Sequence, residues 1–157
     1  MAYSKPDKEG ECRLVYSRGG AKIFEGQKDG KYFYRCLKDG EYSEICSGEL
    51  RAKIFERNSS ELILSFEKKF VFFDVLSGRI TNTIGNKNWR YSAYLDGKIY
   101  YFKENELDKN NIYCMDIEEG DEYLYKSLNF RGQLYRVNDK NLYIQKSDDF
   151  AVVQQLQ

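Results

Sequence analysis

The segment KFVFFDVLSG at residues 69–78 decides the fold class of this chain. It begins with an unbroken apolar run at 70–73 and ends in Ser77-Gly78, which is typical of a turn. A strand with one wet face alternates apolar and polar residues with a period of two. The unbroken run therefore indicates a strand that is covered on both faces, as in sheets stacked between other sheets.

The same pattern of apolar strand, polar turn and glycine recurs at residues 31–40 (KYFYRCLKDG) and 111–120 (NIYCMDIEEG). The three closing glycines lie 38 and 42 residues apart. Further Gly and Asn turn signals divide the chain into fifteen predicted strands, about four to each repeat. A repeat of about 40 residues with four strands is the period of a propeller blade.

The sequence resembles β-propeller-type strand repeats, most closely at residues 95–103 (LDGKIYYFK) and 111–117 (NIYCMDI). The resemblance implies an all-β fold of antiparallel sheets, a small propeller-like repeat domain that occupies residues 1–157 as a single domain. It divides the chain into units at 12–48, 49–86, 87–128 and 129–157. The last unit has room for three strands, and residues 2–5 are a candidate for its missing outer strand.

Other all-β architectures stay open at this point. A β-sandwich or an irregular barrel of hairpins would also cover both faces of its inner strands. A third alternative is that the chain is a fragment of a larger propeller. The aromatic content of 16%, with 14 Tyr and 10 Phe, suits each of these pleated architectures.

The composition argues against several function classes. The chain contains no histidine, which excludes a Ser-His-Asp triad, a Cys-His dyad and any histidine metal ligand. Its 25 basic and 25 acidic residues cancel, whereas nucleic-acid binders usually carry a basic excess. We expect no catalytic residues, no metal, no cofactor, no nucleic-acid partner and no membrane association.

The four cysteines are not spaced as CxxC, and the first residues contain no apolar signal-peptide core. Reduced thiols and a cytoplasmic location are therefore expected.

The segment at 104–122 is the most distinctive charge feature. It holds eight acidic residues, and within it only Lys109 opposes them. Such a surface favours association with a basic protein, although solvated loops that aid solubility are the simpler interpretation. The acidic candidates for partner binding are Glu104, Glu106, Asp108, Asp116, Glu118, Glu119, Asp121 and Glu122.

Aromatic residues flank this acidic segment. Trp89, Tyr123 and Tyr125 are the aromatic candidates for a partner surface, because Trp and Tyr are enriched at protein interfaces. The alternative is that most of these rings pack between sheets with only a polar edge in water.

These features predict a non-catalytic protein-binding domain. The most concrete version is a small bacterial immunity or inhibitor protein of the cytoplasm. It would bind and occlude a cognate toxin, with a basic nuclease as one example, through its acidic, tyrosine-rich surface. The alternative is a carbohydrate- or small-ligand-binding propeller or lectin-like domain that uses Trp89 as a stacking platform.

Overall fold

The computed structural model describes residues 12–106, 110–136, 142–146 and 153–156, and among them all regular structure is β-strand. The described residues form fifteen strands, the number predicted from the sequence. They are β1 (Arg13–Arg18), β2 (Ala21–Lys28), β3 (Lys31–Lys38), β4 (Glu41–Gly48), β5 (Lys53–Glu56), β6 (Glu61–Ser65), β7 (Lys69–Asp74), β8 (Arg79–Gly85), β9 (Trp89–Leu95), β10 (Lys98–Lys103), β11 (Asn111–Asp116), β12 (Glu122–Ser127), β13 (Gly132–Arg136), β14 (Leu142–Lys146) and β15 (Val153–Leu156).

The strands form four antiparallel sheets in which chain neighbours are also sheet neighbours. Sheet I contains β1–β4, sheet II β5–β8, sheet III β9–β12 and sheet IV β13–β15. The sheets coincide with the four units predicted from the repeat, and the prediction of an all-β, propeller-like fold is confirmed. Residues 2–5, the candidate for a further strand, lie outside the described residues.

The repeated glycines close the last turn of sheets I, II and III. Gly40, Gly78 and Gly120 have φ angles of +80°, +69° and +77°. Only glycine adopts this left-handed region at little cost, because a Cβ would crowd the backbone there. The regular spacing seen in the sequence thus marks one structural position, the turn that leads into the outermost strand of each sheet.

The chain divides into two compact units, Met1–Ile84 and Gly85–Gln157. The organisation as a single domain stays a prediction. The first unit contains sheets I and II, and its core is formed by apolar side chains from both. The fully or nearly fully buried members are Ala21, Ile23, Tyr34, Cys36, Ile45, Ala52, Leu62, Leu64, Phe66, Val71, Phe73 and Val75.

Strand β7 shows why the run at 70–73 does not alternate. Val71 and Phe73 belong to the core of the first unit, while Phe70 and Phe72, on the opposite face of the strand, are also fully buried. The prediction that both faces of this strand are covered is therefore confirmed. At about 25 cal/mol per Å² of apolar surface removed from water, such doubly buried strands contribute strongly to folding.

The second unit has its own core between sheets III and IV. Sheet III contributes Phe102 and Ile112, which are fully buried, and sheet IV contributes Leu142 and Ile144. Side chains alternate between the two faces of sheet III, and only one of these faces packs into this core. The other face carries the aromatic and charged residues described below.

Two further properties concern the described part of the chain. None of Cys12, Cys36, Cys46 and Cys114 is joined in a disulfide. No helix in the described ranges is long and apolar enough to cross a membrane.

Candidate functional site

The acidic segment lies on sheet III, along strands β10–β12 and the turns that join them. Strand β12 is the edge strand of that sheet, with β11 as its neighbour within it. Its first three side chains, Glu122, Tyr123 and Leu124, are exposed. The turn between β11 and β12 carries Glu118 and Glu119 into solvent.

Asp116 builds this turn rather than extending from it. Its carboxylate accepts hydrogen bonds from the backbone N–H groups of Glu118 at 2.9 Å and Glu119 at 3.2 Å. The Gly120 N–H donates to the Asp116 carbonyl at 2.7 Å, which closes the turn. An Asp side chain that bonds to the backbone two residues later is a recognised turn-forming element. The turn therefore holds the three exposed acids, Glu118, Glu119 and Asp121, in an ordered arrangement.

Lys103 forms ion pairs with two of the predicted acidic residues. Its Nζ lies 2.5 Å from Glu122 Oε1 and 3.9 Å from Glu106 Oε1. Glu106 follows β10 and Glu122 begins β12, so Lys103 links one residue from each of the two acidic groups that flank β11. Glu104 lies 3.9 Å from the buried Arg90.

Two cations from outside the segment therefore also oppose its acids. Arg90 lies on β9, and Lys103 is the last residue of β10, directly before Glu104 in the chain. Asp108 and Lys109 themselves lie outside the described residues.

Hydrogen bonds fix both paired carboxylates from a second side. The Tyr101 hydroxyl donates to Glu122, and the Tyr113 hydroxyl donates to Glu106. Burial alone would raise the pKa of Glu122, but the hydrogen bonds from Lys103 and Tyr101 outweigh it and lower the pKa below its ordinary value of 4.5. Burial also raises the pKa of Tyr101, so its hydroxyl stays protonated and acts as a donor.

Three rings stack beneath this charged group. Trp89 and Tyr101 are stacked with centroids 4.4 Å apart, and Tyr101 and Tyr113 are nearly parallel at 6.3 Å. The Lys103 ammonium lies 4.0 Å above the Tyr113 ring, within cation–π distance. Trp89 is only 3% exposed, so its ring is not presented to solvent as a platform for a sugar.

The opposite face of sheet III places Tyr123 and Tyr125 beside Tyr100 and Cys114. Tyr100 and Tyr125 meet edge to face at 5.2 Å. The hydrogen bond between Tyr123 and Cys114, together with burial, raises the pKa of Tyr123 to about 12. Tyr123 nevertheless remains 44% exposed, whereas Tyr125 is half-buried.

Leu124 is a surface residue that the sequence pattern did not single out. It is 52% exposed and follows Tyr123 on β12. Because successive strand residues point to opposite faces of a sheet, Tyr123 and Leu124 flank the edge strand on its two sides, next to the acidic turn. Lys103 and Tyr113 were missed as well, since nothing in the local sequence shows that they meet Glu122 and Glu106. The structure thus contains two distinct features. One is the internally paired group of Lys103, Glu106 and Glu122, and the other is an exposed surface at the acidic turn and β12.

We name this exposed surface the β12 surface and define it by Glu118, Glu119, Asp121, Tyr123 and Leu124. Within the described residues, no group of three or more Cys, Asp or Glu side chains is arranged to hold a metal ion. What the β12 surface offers chemically is negative charge beside solvent-exposed apolar area. That combination can bind a protein, because charge directs association while apolar burial supplies affinity.

The carboxylate of Glu122 gives a testable pH dependence. Its pKa is lowered on folding, so the stabilisation that it provides is complete above pH 4.5 and is lost as the pH falls through the folded-state pKa. For Glu122→Gln we expect a loss of about 0.2–1 kcal/mol in the free energy of unfolding near neutral pH, and we expect this loss to shrink as the pH falls below 4.5. Urea denaturation at a series of pH values measures it.

Glu41→Gln serves as the control for this measurement, because Glu41 is an exposed acid on β4. If the difference between wild type and Glu122→Gln does not change with pH, the charge of Glu122 is not what stabilises the fold.

Comparison with known proteins identifies the fold but assigns the chain to no family. No protein-family model and no curated protein match the chain. Among solved structures, the chain is similar to the β-propeller domain of the Trilobed protease from Pyrococcus furiosus, which has an open velcro topology. The TM-score is 0.50 at 14% identity, over 88% of this chain and 53% of that one.

The chain is also similar to Kluyveromyces lactis Hsv2 with complete loop 6CD, another β-propeller, with a TM-score of 0.55 and 14% identity. That match covers 99% of this chain and 49% of Hsv2. The chain therefore spans about half the length of these structures. At such low identity the likeness shows the fold alone, and the resemblance to β-propeller-type strand repeats is confirmed.

Proposed function

We propose that this chain is a non-catalytic protein-binding domain and that the β12 surface is where its partner docks. The observation that carries the proposal is the placement of exposed Tyr123 and Leu124 on an edge strand directly after a turn with three exposed acids. Exposed apolar side chains that are grouped and bordered by polar residues are typical of protein-interaction sites. The propeller-type fold is compatible with a binding role but does not specify one.

The charge of the β12 surface defines the partner as a basic protein. Glu106 and Glu122 share Lys103, so this group of three residues keeps one net negative charge. Glu118, Glu119 and Asp121 are exposed at the turn, where their charge adds to the long-range attraction of a basic partner. The proposal therefore places the docking site at these three of the predicted acidic candidates.

In its most specific form, the proposal is a cytoplasmic bacterial immunity protein that occludes a cognate toxin. A nuclease toxin would suit the surface, because a groove that binds phosphates is basic and an acidic turn can occupy it in place of the substrate. The support for this version is charge complementarity. A toxin gene beside the gene for this chain would supply the partner for a direct binding assay.

The triple variant Glu118→Gln, Glu119→Gln, Asp121→Asn tests the surface. We expect about tenfold weaker binding of the partner, mainly through slower association, and a shallower dependence of affinity on salt. Surface plasmon resonance at several salt concentrations measures both effects. The partner is first isolated on immobilised wild-type chain from extracts of the source organism and then purified.

A matched control carries the same change in charge elsewhere. The triple variant Asp39→Asn, Glu41→Gln, Glu49→Gln removes three exposed acids from the first unit and none from the β12 surface. We expect its affinity to equal that of wild type. If the two triple variants lose affinity equally, the partner responds only to net charge and the β12 surface is not its docking site.

A further inference from the structure

A polar cleft of about 620 Å³ opens in the first unit, and no residue of the β12 surface lines it. Volumes of this size suit small-molecule ligands. Arg13, Glu25, Tyr32 and Arg51 line it, from three strands of sheet I and the segment that leads into β5. These four side chains belong to one connected network.

Glu25 forms the floor of this network and is only 4% exposed. The Arg13 Nε donates to Glu25 Oε1 at 3.0 Å, and the Arg51 Nε lies 3.2 Å from the same oxygen. The buried Tyr34 hydroxyl donates to Oε2 at 2.8 Å and accepts the Ala52 N–H at 2.7 Å. A buried carboxylate persists when it is paired and hydrogen-bonded in this way.

The two arginines are held in position by Glu25, and more than half of each side chain remains exposed to solvent. The side chains of Arg13 and Arg51 are 60% and 56% exposed. Arg51 also lies over the Tyr32 ring, 5.2 Å from its centroid, which limits the rotation of its guanidinium. Both arginines engage Glu25 through Nε, and their Nη nitrogens make no further ion pair with any described residue.

The charge balance of the cleft favours an anion. One carboxylate is shared by two guanidinium groups, so one positive charge at this point is not compensated by Glu25. Lys28 and Asp29, which also line the cleft, offset each other in formal charge. The planar guanidinium binds carboxylate and phosphate oxygens through paired N–H donors, which a point charge cannot do.

We propose that this cleft is a binding site for a small molecule that carries a carboxylate or a phosphate group. The anion takes donors from the Nη nitrogens of Arg13 and Arg51, and Glu25 acts as a positioning residue that fixes both guanidinium groups. Tyr32 supplies an aromatic wall for an organic body attached to the anion. This site lies in the first unit and does not depend on the proposed protein-binding surface.

The test is an NMR titration of the full chain that observes the arginine Nε–H signals. The probes are inorganic phosphate, phenyl phosphate and benzoate, with benzyl alcohol as the neutral control. We expect saturable shifts of the Arg13 and Arg51 signals, with phenyl phosphate and benzoate separating phosphate from carboxylate preference. The Arg79 signal, from an exposed arginine on β8, reports the effect of ionic strength alone.

The Arg51→Gln variant should bind the preferred anion about tenfold more weakly, because it loses one charge-assisted hydrogen bond. The control variant Arg79→Gln should bind the anion with the affinity of wild type. Because Arg51 is exposed, the substitution leaves the core intact. Absence of saturation with all three anions overturns the proposal, as do equal shifts at Arg79 or equal binding of benzyl alcohol. The wild-type titration decides the question even if a variant does not fold.

Discussion

Phe102→Ala should lower the free energy of unfolding by about 3–5 kcal/mol, the usual cost of emptying a fully buried phenylalanine position. Phe102 is 0% exposed in the core between sheets III and IV. Its ring also contacts Tyr91 edge to face at 6.5 Å and lies 5.2 Å from the guanidinium carbon of Arg90. The substitution therefore removes apolar contacts and one of the two aromatic rings, Phe102 and Tyr91, that lie against the guanidinium of the buried Arg90.

Chemical denaturation followed by tryptophan fluorescence measures this effect. Trp89 is the single tryptophan and lies buried on the neighbouring strand β9, so its emission reports on sheet III directly. Leu124→Ala is the matched control, because Leu124 lies in the same sheet but is 52% exposed. It should change the free energy of unfolding by no more than about 0.5 kcal/mol. Equal losses for the two variants would contradict the position of this core.

Glu25→Ala should cost about 2–4 kcal/mol, the second largest effect that we expect. The buried Tyr34 hydroxyl would lose its acceptor, and Arg13 and Arg51 would lose the carboxylate that they share. Because both arginines are more than half exposed, water can solvate them after the change. Most of the cost therefore comes from the buried hydroxyl and from the space that the side chain leaves. Thermal and urea unfolding followed by circular dichroism measure it.

Two substitutions separate the causes of this loss. Glu25→Gln keeps the size of the side chain and an oxygen that can accept from Tyr34, so we expect roughly half of the loss. Glu41→Ala removes an exposed acid from the same sheet and should be close to neutral. If Glu25→Ala is as mild as Glu41→Ala, the network at Glu25 does not stabilise the first unit.

The strands were predictable because their signals are local. An apolar run such as that at 70–73 and a glycine such as Gly78 occupy neighbouring positions in the chain, and each constrains the backbone by itself. The observed strand β7 ends at Asp74, close to the prediction. Gly40, Gly78 and Gly120 recur at one structural position, so their spacing revealed the sheets as repeating units.

The candidate surface was predictable only in part. The composition of the segment at 104–122 identified an acidic region, and three of its residues form the exposed turn of the β12 surface. The pairing of Lys103 with Glu122 could not be foreseen, because it depends on which strands are neighbours and how their residues are aligned. Leu124 gave no signal either, since an exposed leucine and a buried one look the same in a sequence.

Backbone preference and residue alternation act over a few residues, so the all-β fold, the fifteen strands and their division into four units follow from the sequence alone. The burial of the Trp89 ring and the exposure of Tyr123, in contrast, follow from tertiary packing. The same holds for the placement of Arg13 and Arg51 on one carboxylate. Burial and ion pairing depend on which distant side chains arrive at the same face of a sheet, and strand register fixes that across the whole chain.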